Sequence, residues 1–179
     1  MSFINIEIKA RTSNTATIRE YLISHGAEQR GTDWQTDTYF NTRKGRLKLR
    51  QGKIENNLIY YERGESNGPR QSNFNLMEVK DPENLKAMLA AASGIKIVVE
   101  KKREIYFIGN VKFHLDELAR LGNFVEIEAS NRYAPLSTEK LREQCNFYMK
   151  EFGILQSDLL QGSYSDMLMA LSDDVNESY

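Results

Sequence analysis

The chain has 179 residues, of which 40% are hydrophobic and 27% are charged, and this composition excludes a largely disordered protein. Its 24 basic and 25 acidic residues give a net charge of −1, so no overall field attracts nucleic acid or an anionic membrane. Any anion-binding site must therefore be local. We expect residues 1–171 to form a single domain and residues 172–179 to form a polar C-terminal tail.

The cysteine content and the shortness of the apolar segments indicate in which cellular compartment the protein is expected. The single cysteine, Cys145, cannot form an internal disulfide bond, which fits a reducing environment. The sequence contains no apolar leader and no apolar run of the ~18 residues that a membrane helix needs. We therefore expect a cytoplasmic protein with neither a membrane nor a nucleic acid as its partner.

The first predicted element is a strand over residues 4–11, in which apolar and polar residues alternate. Because successive side chains of a strand point to opposite faces, the isoleucines share one face and the polar residues share the other. The polar face carries Asn5, Glu7, Lys9 and Arg11. A helix should follow, capped by Ser13 or Asn14 and ended by Gly26.

The rest of the chain predicts seven further strands, most of them in sequential hairpins. Apolar alternation and turn residues place them at 35–40, 47–51, 58–63, 71–79, 97–108, 111–116 and 124–129. Helices are predicted over 82–93, from Ser137 to near Gly153, and over 164–171. The predicted fold class is α+β: an eight-stranded antiparallel closed β-barrel, or tunnel, with a polar interior and helices packed outside.

Several strands repeat the charged face of the first one. The candidate bases are Lys9, Lys48, Arg50, Arg63, Lys101 and Arg103, with Arg11, Arg46 and Arg70 as weaker candidates. The candidate acids are Glu7, Asp116, Glu126 and Glu128. Inside a closed sheet the bases would repel one another unless an anion such as a triphosphate compensated them, and the acids would suit Mg²⁺ or Mn²⁺. Solvated outer faces would give the same pattern, and this alternative remains open.

Other site chemistries find no support in the sequence. One cysteine and two histidines, His25 and His114, provide no cluster typical of zinc. The glycines do not form a phosphate-binding loop, so phosphate would have to be bound by side chains. No serine can be singled out as the nucleophile of a catalytic triad.

The charged strands resemble those of a known family. Five segments carry the resemblance: Glu7 to Arg11, Asp37 to Phe40, Leu47 to Arg50, Val98 to Tyr106, and His114 to Glu128. Together they are similar to the CYTH superfamily, also called triphosphate tunnel metalloenzymes, and within it to the class IV adenylyl cyclases. The resemblance covers nearly the whole chain.

The resemblance implies a tunnel that binds a triphosphate along the six bases from Lys9 to Arg103, with a divalent ion held by Glu7, Asp116, Glu126 and Glu128. It also implies that Lys9, Glu7 and Glu126 are the catalytic residues, and Tyr164 is similar to a tyrosine near the family's C-terminus. One residue departs from the family pattern, because Asn5 stands where the opening motif has a glutamate. An asparagine offers an oxygen but brings no negative charge.

We therefore expect an enzyme that converts ATP to cyclic AMP and pyrophosphate with Mg²⁺ or Mn²⁺. The alternatives are a metal-dependent triphosphatase, acting on thiamine triphosphate, a nucleoside triphosphate or inorganic triphosphate, and a polyphosphate-binding module without catalysis. The substrate partner is a small triphosphate, and the sequence leaves homodimer formation open.

Overall fold

Strands form most of the structure, a computed structural model that describes residues 2–63, 69–160 and 162–176. The eight strands are β1 (Ser2–Arg11), β2 (Glu28–Phe40), β3 (Arg46–Gln51), β4 (Asn57–Arg63), β5 (Arg70–Glu78), β6 (Ile95–Ile108), β7 (Val111–Leu118) and β8 (Gly122–Ser130). The helices are α1 (Thr15–Ser24), α2 (Pro82–Ser93), α3 (Thr138–Glu151) and α4 (Tyr164–Asn176), with a short 3₁₀ turn at Gln156–Asp158.

The strands close into one antiparallel barrel in the order β1-β5-β4-β3-β2-β6-β7-β8. Closure comes from β1, which pairs with β8 from Asn5 opposite Ser130 to Arg11 opposite Phe124, and with β5 on its other side. The predicted fold class is therefore confirmed. In such a barrel every second residue of a strand points inward, so strand parity decides which side chains reach the interior.

The largest apolar core lies outside the barrel, between the sheet and two helices. The outer faces of β1, β7 and β8 pack against α1 and α3, and this core includes Ile8, Phe113, Ile127, Leu22 and Leu141. Cys145 of α3 is also buried there, and its thiol donates to the carbonyl oxygen of Ile6 at 3.1 Å. Because α1 and α3 bury the apolar side chains on the outer face of these strands, the polar side chains lie on the inner face.

Side chains cap the starts of α2 and α3, whereas Asn14, one of the two caps predicted for α1, forms no cap. The side chain of Asp81 accepts a hydrogen bond from the backbone N–H of Asn84 at the start of α2, and Ser137 does the same for Lys140 at the start of α3. Asn14 precedes α1, but its side chain makes no capping hydrogen bond. No helix in the described part of the chain is long and apolar enough to span a membrane.

Two elements extend furthest beyond their predicted bounds. Strand β2 begins at Glu28 rather than Gln35, because it pairs with the whole length of β6 across a bulge near Gly31. Helix α4 continues beyond Leu171 to Asn176, where its backbone still forms helical hydrogen bonds. Residues 172–176, predicted as part of a polar tail, are thus helical, and residues 177–179 lie outside the described part. Residues 64–68 of the predicted polar loop also lie outside it.

Candidate active site

The barrel interior holds a cavity of about 930 Å³, counting the space at its mouth. Its polar lining comes from strands distributed around the barrel: Asn5, Glu7 and Lys9 on β1, Asp37 on β2, Lys48 and Arg50 on β3, Lys101 and Arg103 on β6, Lys112 on β7, and Glu126 and Glu128 on β8. The inward direction of the charged faces is therefore established. Solvated outer faces, the alternative that the sequence left open, are excluded for these residues.

A cluster of three cations surrounds the buried carboxylate of Asp37. Arg50 donates to both oxygens, at 2.9 and 3.1 Å, while the Lys48 and Lys101 ammonium groups lie 3.1 and 2.7 Å from Oδ2. Burial alone would raise the pKa of Asp37, but the three cations outweigh it and hold that pKa well below its ordinary value. The cluster carries more positive than negative charge at neutral pH.

Lys101 experiences that excess of positive charge directly. It is almost fully buried, and Arg50 and Arg103 lie near it. Burial and these two arginines lower the pKa of Lys101 well below its ordinary value, and Asp37 opposes the change only in part. An anion bound beside this ammonium group would stabilise its charged form.

A second ion-pair cluster forms around Arg103. Its guanidinium donates to both oxygens of Asp116, at 2.6 and 2.5 Å, and to Glu126 at 2.8 Å. Tyr164, at the start of α4, donates its hydroxyl to Asp116 at 2.7 Å, and its ring lies 3.9 Å from the ammonium nitrogen of Lys9. Helix α4 thereby orders two of the cationic side chains through one tyrosine.

Glu126 connects this cluster to Lys9 and His114. Its oxygens lie 3.5 Å from the Lys9 nitrogen and 3.2 Å from His114 Nδ1. Burial acts to raise the pKa of Glu126, but Lys9, His114 and Arg103 outweigh it and hold the pKa well below 4.5. Burial lowers the pKa of His114 to about 3, so this imidazole is neutral at physiological pH.

Asn5 occupies the inward position that the sequence predicted for it. Its Nδ2 donates to Glu128 at 2.7 Å, while its Oδ1 is buried and makes no hydrogen bond within the described residues. Burial raises the pKa of Glu128, the Lys112 ammonium group opposes this in part, and the carboxylates of Glu126 and Glu7 raise the pKa further. This group of oxygen atoms would gain stability from a cation.

The interior of β4 and β5 has a different character. Four side chains, which we call the apolar shelf, line the cavity here: Ile59, Tyr61, Phe74 and Leu76. Phe74 also packs on Phe3 of β1, with ring centroids 5.8 Å apart. The opposing charged wall comprises Lys9, Asp37, Lys48, Arg50, Lys101, Arg103 and Glu126. The cavity thus has one surface suited to an anion and one suited to an apolar or aromatic group.

A family model for the CYTH domain matches residues 4–164 of the chain. The chain belongs to the CYTH domain family. This confirms the family resemblance found in the sequence. The match extends from β1 to Tyr164 of α4, so it includes every strand of the CYTH barrel and both sides of the cavity.

Solved structures share the CYTH barrel at low sequence identity. PH1012 of Pyrococcus horikoshii OT3 is 24% identical, with 90% of this chain and 98% of that chain covered and a TM-score of 0.76. A proposed adenylate cyclase of Vibrio parahaemolyticus is 18% identical, with 93% of this chain and 98% of that chain covered and a TM-score of 0.75. The Hippeastrum protein HpAC1 is a proposed adenylyl cyclase with a dominant triphosphatase activity. It is 16% identical, with 96% of each chain covered and a TM-score of 0.64. No curated protein matches the sequence.

The structure brings most of the predicted CYTH site residues together. Of the six predicted bases, Lys9, Lys48, Arg50, Lys101 and Arg103 line the cavity, and the side chain of Arg63 lies outside the described part of the chain. Of the four predicted acids, Glu7, Glu126 and Glu128 line it, while Asp116 binds Arg103 and Tyr164.

The weaker candidates among the bases do not belong to the cavity lining. Arg11 donates to the carbonyl oxygen of Leu121 at 2.5 Å, which ties β1 to the turn between β7 and β8. Arg46 contacts the start of α4, donating to Ser163 at 2.6 Å and pairing with Asp166 at 3.0 Å. Arg70 lies opposite Glu7 in the register of β5 and β1. Arg11 and Arg46 thus stabilise one end of the barrel, where β1 ends and β3 begins.

Sequence reasoning missed several polar residues of the site. Asp37 begins one of the segments that resemble the CYTH family. A single acid between two threonines, however, does not indicate that its carboxylate binds three bases. The alternation of Asp33, Gln35 and Asp37 could have revealed an inward face of β2. Lys112 lies four residues before Asp116 on β7, so the two side chains share one face, and this alternation could have identified Lys112 as inward-facing. Glu55 lies in a loop, where no periodicity exists.

Proposed function

We propose that the protein binds ATP in the barrel cavity and converts it to cyclic AMP and pyrophosphate in the presence of Mg²⁺ or Mn²⁺. The observation that carries this proposal is the excess of buried positive charge in the cavity, where two carboxylates, Asp37 and Glu55, are shared by four bases: Lys48, Arg50, Lys101 and Lys112. Buried like charges are costly unless an anion compensates them. An extended triphosphate could contact β1, β3 and β6 at once, whereas a single phosphate could not.

The apolar shelf supports an organic triphosphate over an inorganic one. Ile59 and Phe74 are buried inside the barrel, although the strands that carry them border a polar cavity. Inorganic triphosphate would leave the exposed part of this surface, chiefly Leu76, in contact with water. A nucleoside base or another flat apolar group would cover it and would add binding energy of about 25 cal/mol for each Å² of apolar surface removed from water.

The acidic end of the cavity fits a divalent ion. Asn5 Oδ1 is a buried oxygen without a hydrogen-bond partner among the described residues, and Glu7 lies opposite Glu128 in the register of β1 and β8. The described residues contain no group of three His, Cys, Asp or Glu side chains arranged to hold a metal. Glu7 and Glu128 would therefore hold an ion together with water and phosphate oxygens, the usual environment of Mg²⁺. Such an ion would stabilise negative charge on the attacking and leaving oxygens.

The charged wall can serve the displacement itself. The ribose 3′-oxygen forms a bond to the α-phosphorus, and the bond from that phosphorus to the bridging oxygen breaks, so pyrophosphate leaves with the electron pair. Arg50, Lys48 and Lys101 would stabilise the charge on the leaving pyrophosphate.

Glu7 and Glu126 would have different tasks in this reaction. Glu126 has a depressed pKa and is a poor proton acceptor, so its role is to position Lys9 and Arg103. Glu7, next to Lys9 on the inward face of β1, would hold the divalent ion with Glu128, and the proton of the 3′-hydroxyl group would pass to solvent water.

Two other outcomes remain as alternatives. Hydrolysis of the triphosphate would use the same basic residues to bind the phosphates. The triphosphatase activity of the Hippeastrum relative makes hydrolysis the natural competing reaction. A binding module without catalysis is favoured by one observation, the hydrogen bond from Asn5 to Glu128, because Asn5 brings no charge to an ion site.

Product analysis after incubation with ATP and Mn²⁺ tests the proposal. We expect cyclic AMP and pyrophosphate in equal amounts, and ADP with phosphate would instead assign a hydrolase. Lys101→Met should abolish binding of the nucleotide, whereas Lys102→Met, a control on the outer face of the same strand, should leave it unchanged. Calorimetric titration that finds tripolyphosphate and orthophosphate binding equally weakly would contradict a triphosphate site.

A further inference from the structure

The connection between β3 and β4, residues 52–56, contributes Glu55 to the lining of the cavity. It lies at the end of the barrel where β1 begins, because β3 runs toward that end. From this connection Glu55 points into the cavity. Its Oε2 accepts hydrogen bonds from Arg50 at 2.9 Å and from Gln35 at 3.0 Å, and its Oε1 accepts one from Lys112. The carboxylate thus joins β3 to β7 across the intervening strands β2 and β6.

The position of this loop is fixed by Asp33. The carboxylate of Asp33 accepts the backbone N–H groups of Lys53 at 2.7 Å and of Glu55 at 3.2 Å. Gly52 approaches the same carboxylate so closely that a side chain there would collide with it. Three contacts therefore hold the loop against β2, and Glu55 is positioned by its backbone as well as by its ion pairs.

Glu55 occupies hydrogen-bond donors that an incoming phosphate would use. Arg50 directs two donors to Asp37 and a third to Glu55, and Lys112 directs its ammonium group to Glu55. Burial alone would raise the pKa of Glu55, but Lys112 and Arg50 outweigh it and hold that pKa well below 4.5. The group is therefore a permanent negative charge at the end of a cationic surface.

We infer that Glu55 limits the length of the phosphate chain that this cavity accepts, because its carboxylate pairs with Arg50 and Lys112 and so ends the cationic surface. A fourth phosphate would have to displace the carboxylate from Arg50 and Lys112 or lie beside its negative charge. Both arrangements are unfavourable, so chains longer than triphosphate should be rejected. The inference depends on the proposed function, since it concerns the substrate of the same cavity.

The test compares two linear phosphates that differ by one unit. We would titrate tripolyphosphate and tetrapolyphosphate into the parent protein and into Glu55→Gln, without divalent ions, and compare the ratio of the two affinities. The parent should bind tripolyphosphate more tightly, although tetrapolyphosphate carries more charge. In Glu55→Gln the ratio should shift by about tenfold toward tetrapolyphosphate, the effect of removing one charge-assisted hydrogen-bond pair.

Two further variants separate the local effect from a general change in charge. Glu117→Gln removes an equal charge from the outer face of β7, where Glu117 pairs with Lys102 at 3.5 Å, and it should keep the parent's ratio. Asp33→Asn loosens the loop without altering the Glu55 carboxylate, and its ratio should shift in the same direction by a smaller amount. Thermal unfolding of each variant verifies that it is folded.

The outcomes distinguish this inference from the proposed function. A parent that binds tetrapolyphosphate as tightly as tripolyphosphate overturns the inference without any variant. An unchanged ratio in folded Glu55→Gln also overturns it, and in both cases the triphosphate site itself survives. A parent that binds neither phosphate overturns the inference and the proposed function together.

Discussion

The charged wall and the apolar shelf lie in the same cavity, but they are stabilised in different ways. The charged wall consists of buried ion pairs such as Arg103 with Asp116, so each of its side chains depends on a partner of opposite charge. The shelf consists of side chains such as Phe74 that need no partner beyond apolar contact. A change in the wall should therefore affect folding and chemistry together, whereas a change at the half-buried Leu76 of the shelf should affect mainly the choice of ligand.

The largest effect is expected from Asp37→Asn, which removes the anion at the centre of the wall. The variant leaves Arg50, Lys48 and Lys101 close together with one negative charge fewer, and we expect the free energy of unfolding to fall by about 4 kcal/mol at pH 7. Urea unfolding measures this difference, with Glu117→Gln as the control on the outer face. Equal stability of the Asp37 variant and the parent would show that the cluster is not held by this carboxylate.

The difference in the free energy of unfolding between the parent and Asp37→Asn should depend on pH, and the direction of this dependence follows from the pKa of Asp37. The pKa of Asp37 is lower in the folded protein than its ordinary value of 3.8, so its contribution to stability is complete above that value. As the pH falls through the folded pKa, the contribution is lost. The gap between the parent and Asp37→Asn should thus be constant from pH 7 to about pH 5 and should shrink below pH 4. A gap that widens on acidification would contradict the assignment.

The next largest effect concerns catalysis by the acids of β8. Glu126→Gln and Glu128→Gln should each lower turnover of ATP by about 100-fold, while their affinity for metal-free tripolyphosphate should change much less. Glu126 positions two bases, and Glu128 is a proposed ion ligand, so neither is required to attract the phosphate chain. Turnover at saturating Mn²⁺ gives the measurement, and unchanged rates in both variants would remove these residues from the site.

A smaller effect should separate the shelf from the wall. Leu76→Asn places a polar group on the shelf and should weaken ATP binding by about tenfold, with tripolyphosphate binding changed by less than about twofold. Met77→Asn is a matched control, because Met77 is the next residue of β5 and is exposed on the outer face. Parallel losses for both ligands would mean that the shelf does not contact the organic part of the substrate.

The smallest effect is expected at Asn5, where the chain departs from the family pattern. Asn5→Glu adds a carboxylate beside Glu128 and should lower the Mg²⁺ concentration for half-maximal activity by about threefold. The added repulsion should also make the melting temperature of the variant depend more strongly on Mg²⁺ than that of the parent. Identical Mg²⁺ requirements in two folded proteins would refute a role of position 5 in metal binding.

The sequence predicted the charged wall better than the shelf, for a physical reason. On β1, charged residues alternate with isoleucines, and the outer helices bury the isoleucines, so parity alone identifies Glu7 and Lys9 as inward-facing. On β4, apolar residues occupy both faces, because Leu58 packs toward α2 while Ile59 faces the cavity. A strand that is apolar on both sides carries no parity signal.

Glu55 could not have been found in the same way. Its loop has no periodicity, and the carboxylate reaches the cavity only because Asp33, a residue of another hairpin, binds the loop backbone. The length of β2 was missed for a related reason, since residues 28–34 become a strand through pairing with β6, which is distant in sequence. Contacts made between remote segments leave little trace in the local sequence.

The position of β1 between β5 and β8 has a consequence for how the protein folds. Both partners of β1 lie far along the chain, as the pairing of Asn5 with Ser130 illustrates. During synthesis β1 can pair with β5 first, but its pairing with β8 has to wait until β8 has been made, and the loop that this second pairing closes is among the longest in the domain. The barrel can therefore close only at a late step, and Glu7 and Lys9 stay hydrated until that step. Slow, late formation of the hydrogen bonds between β1 and β8 is the expected signature in pulse-labelled hydrogen exchange.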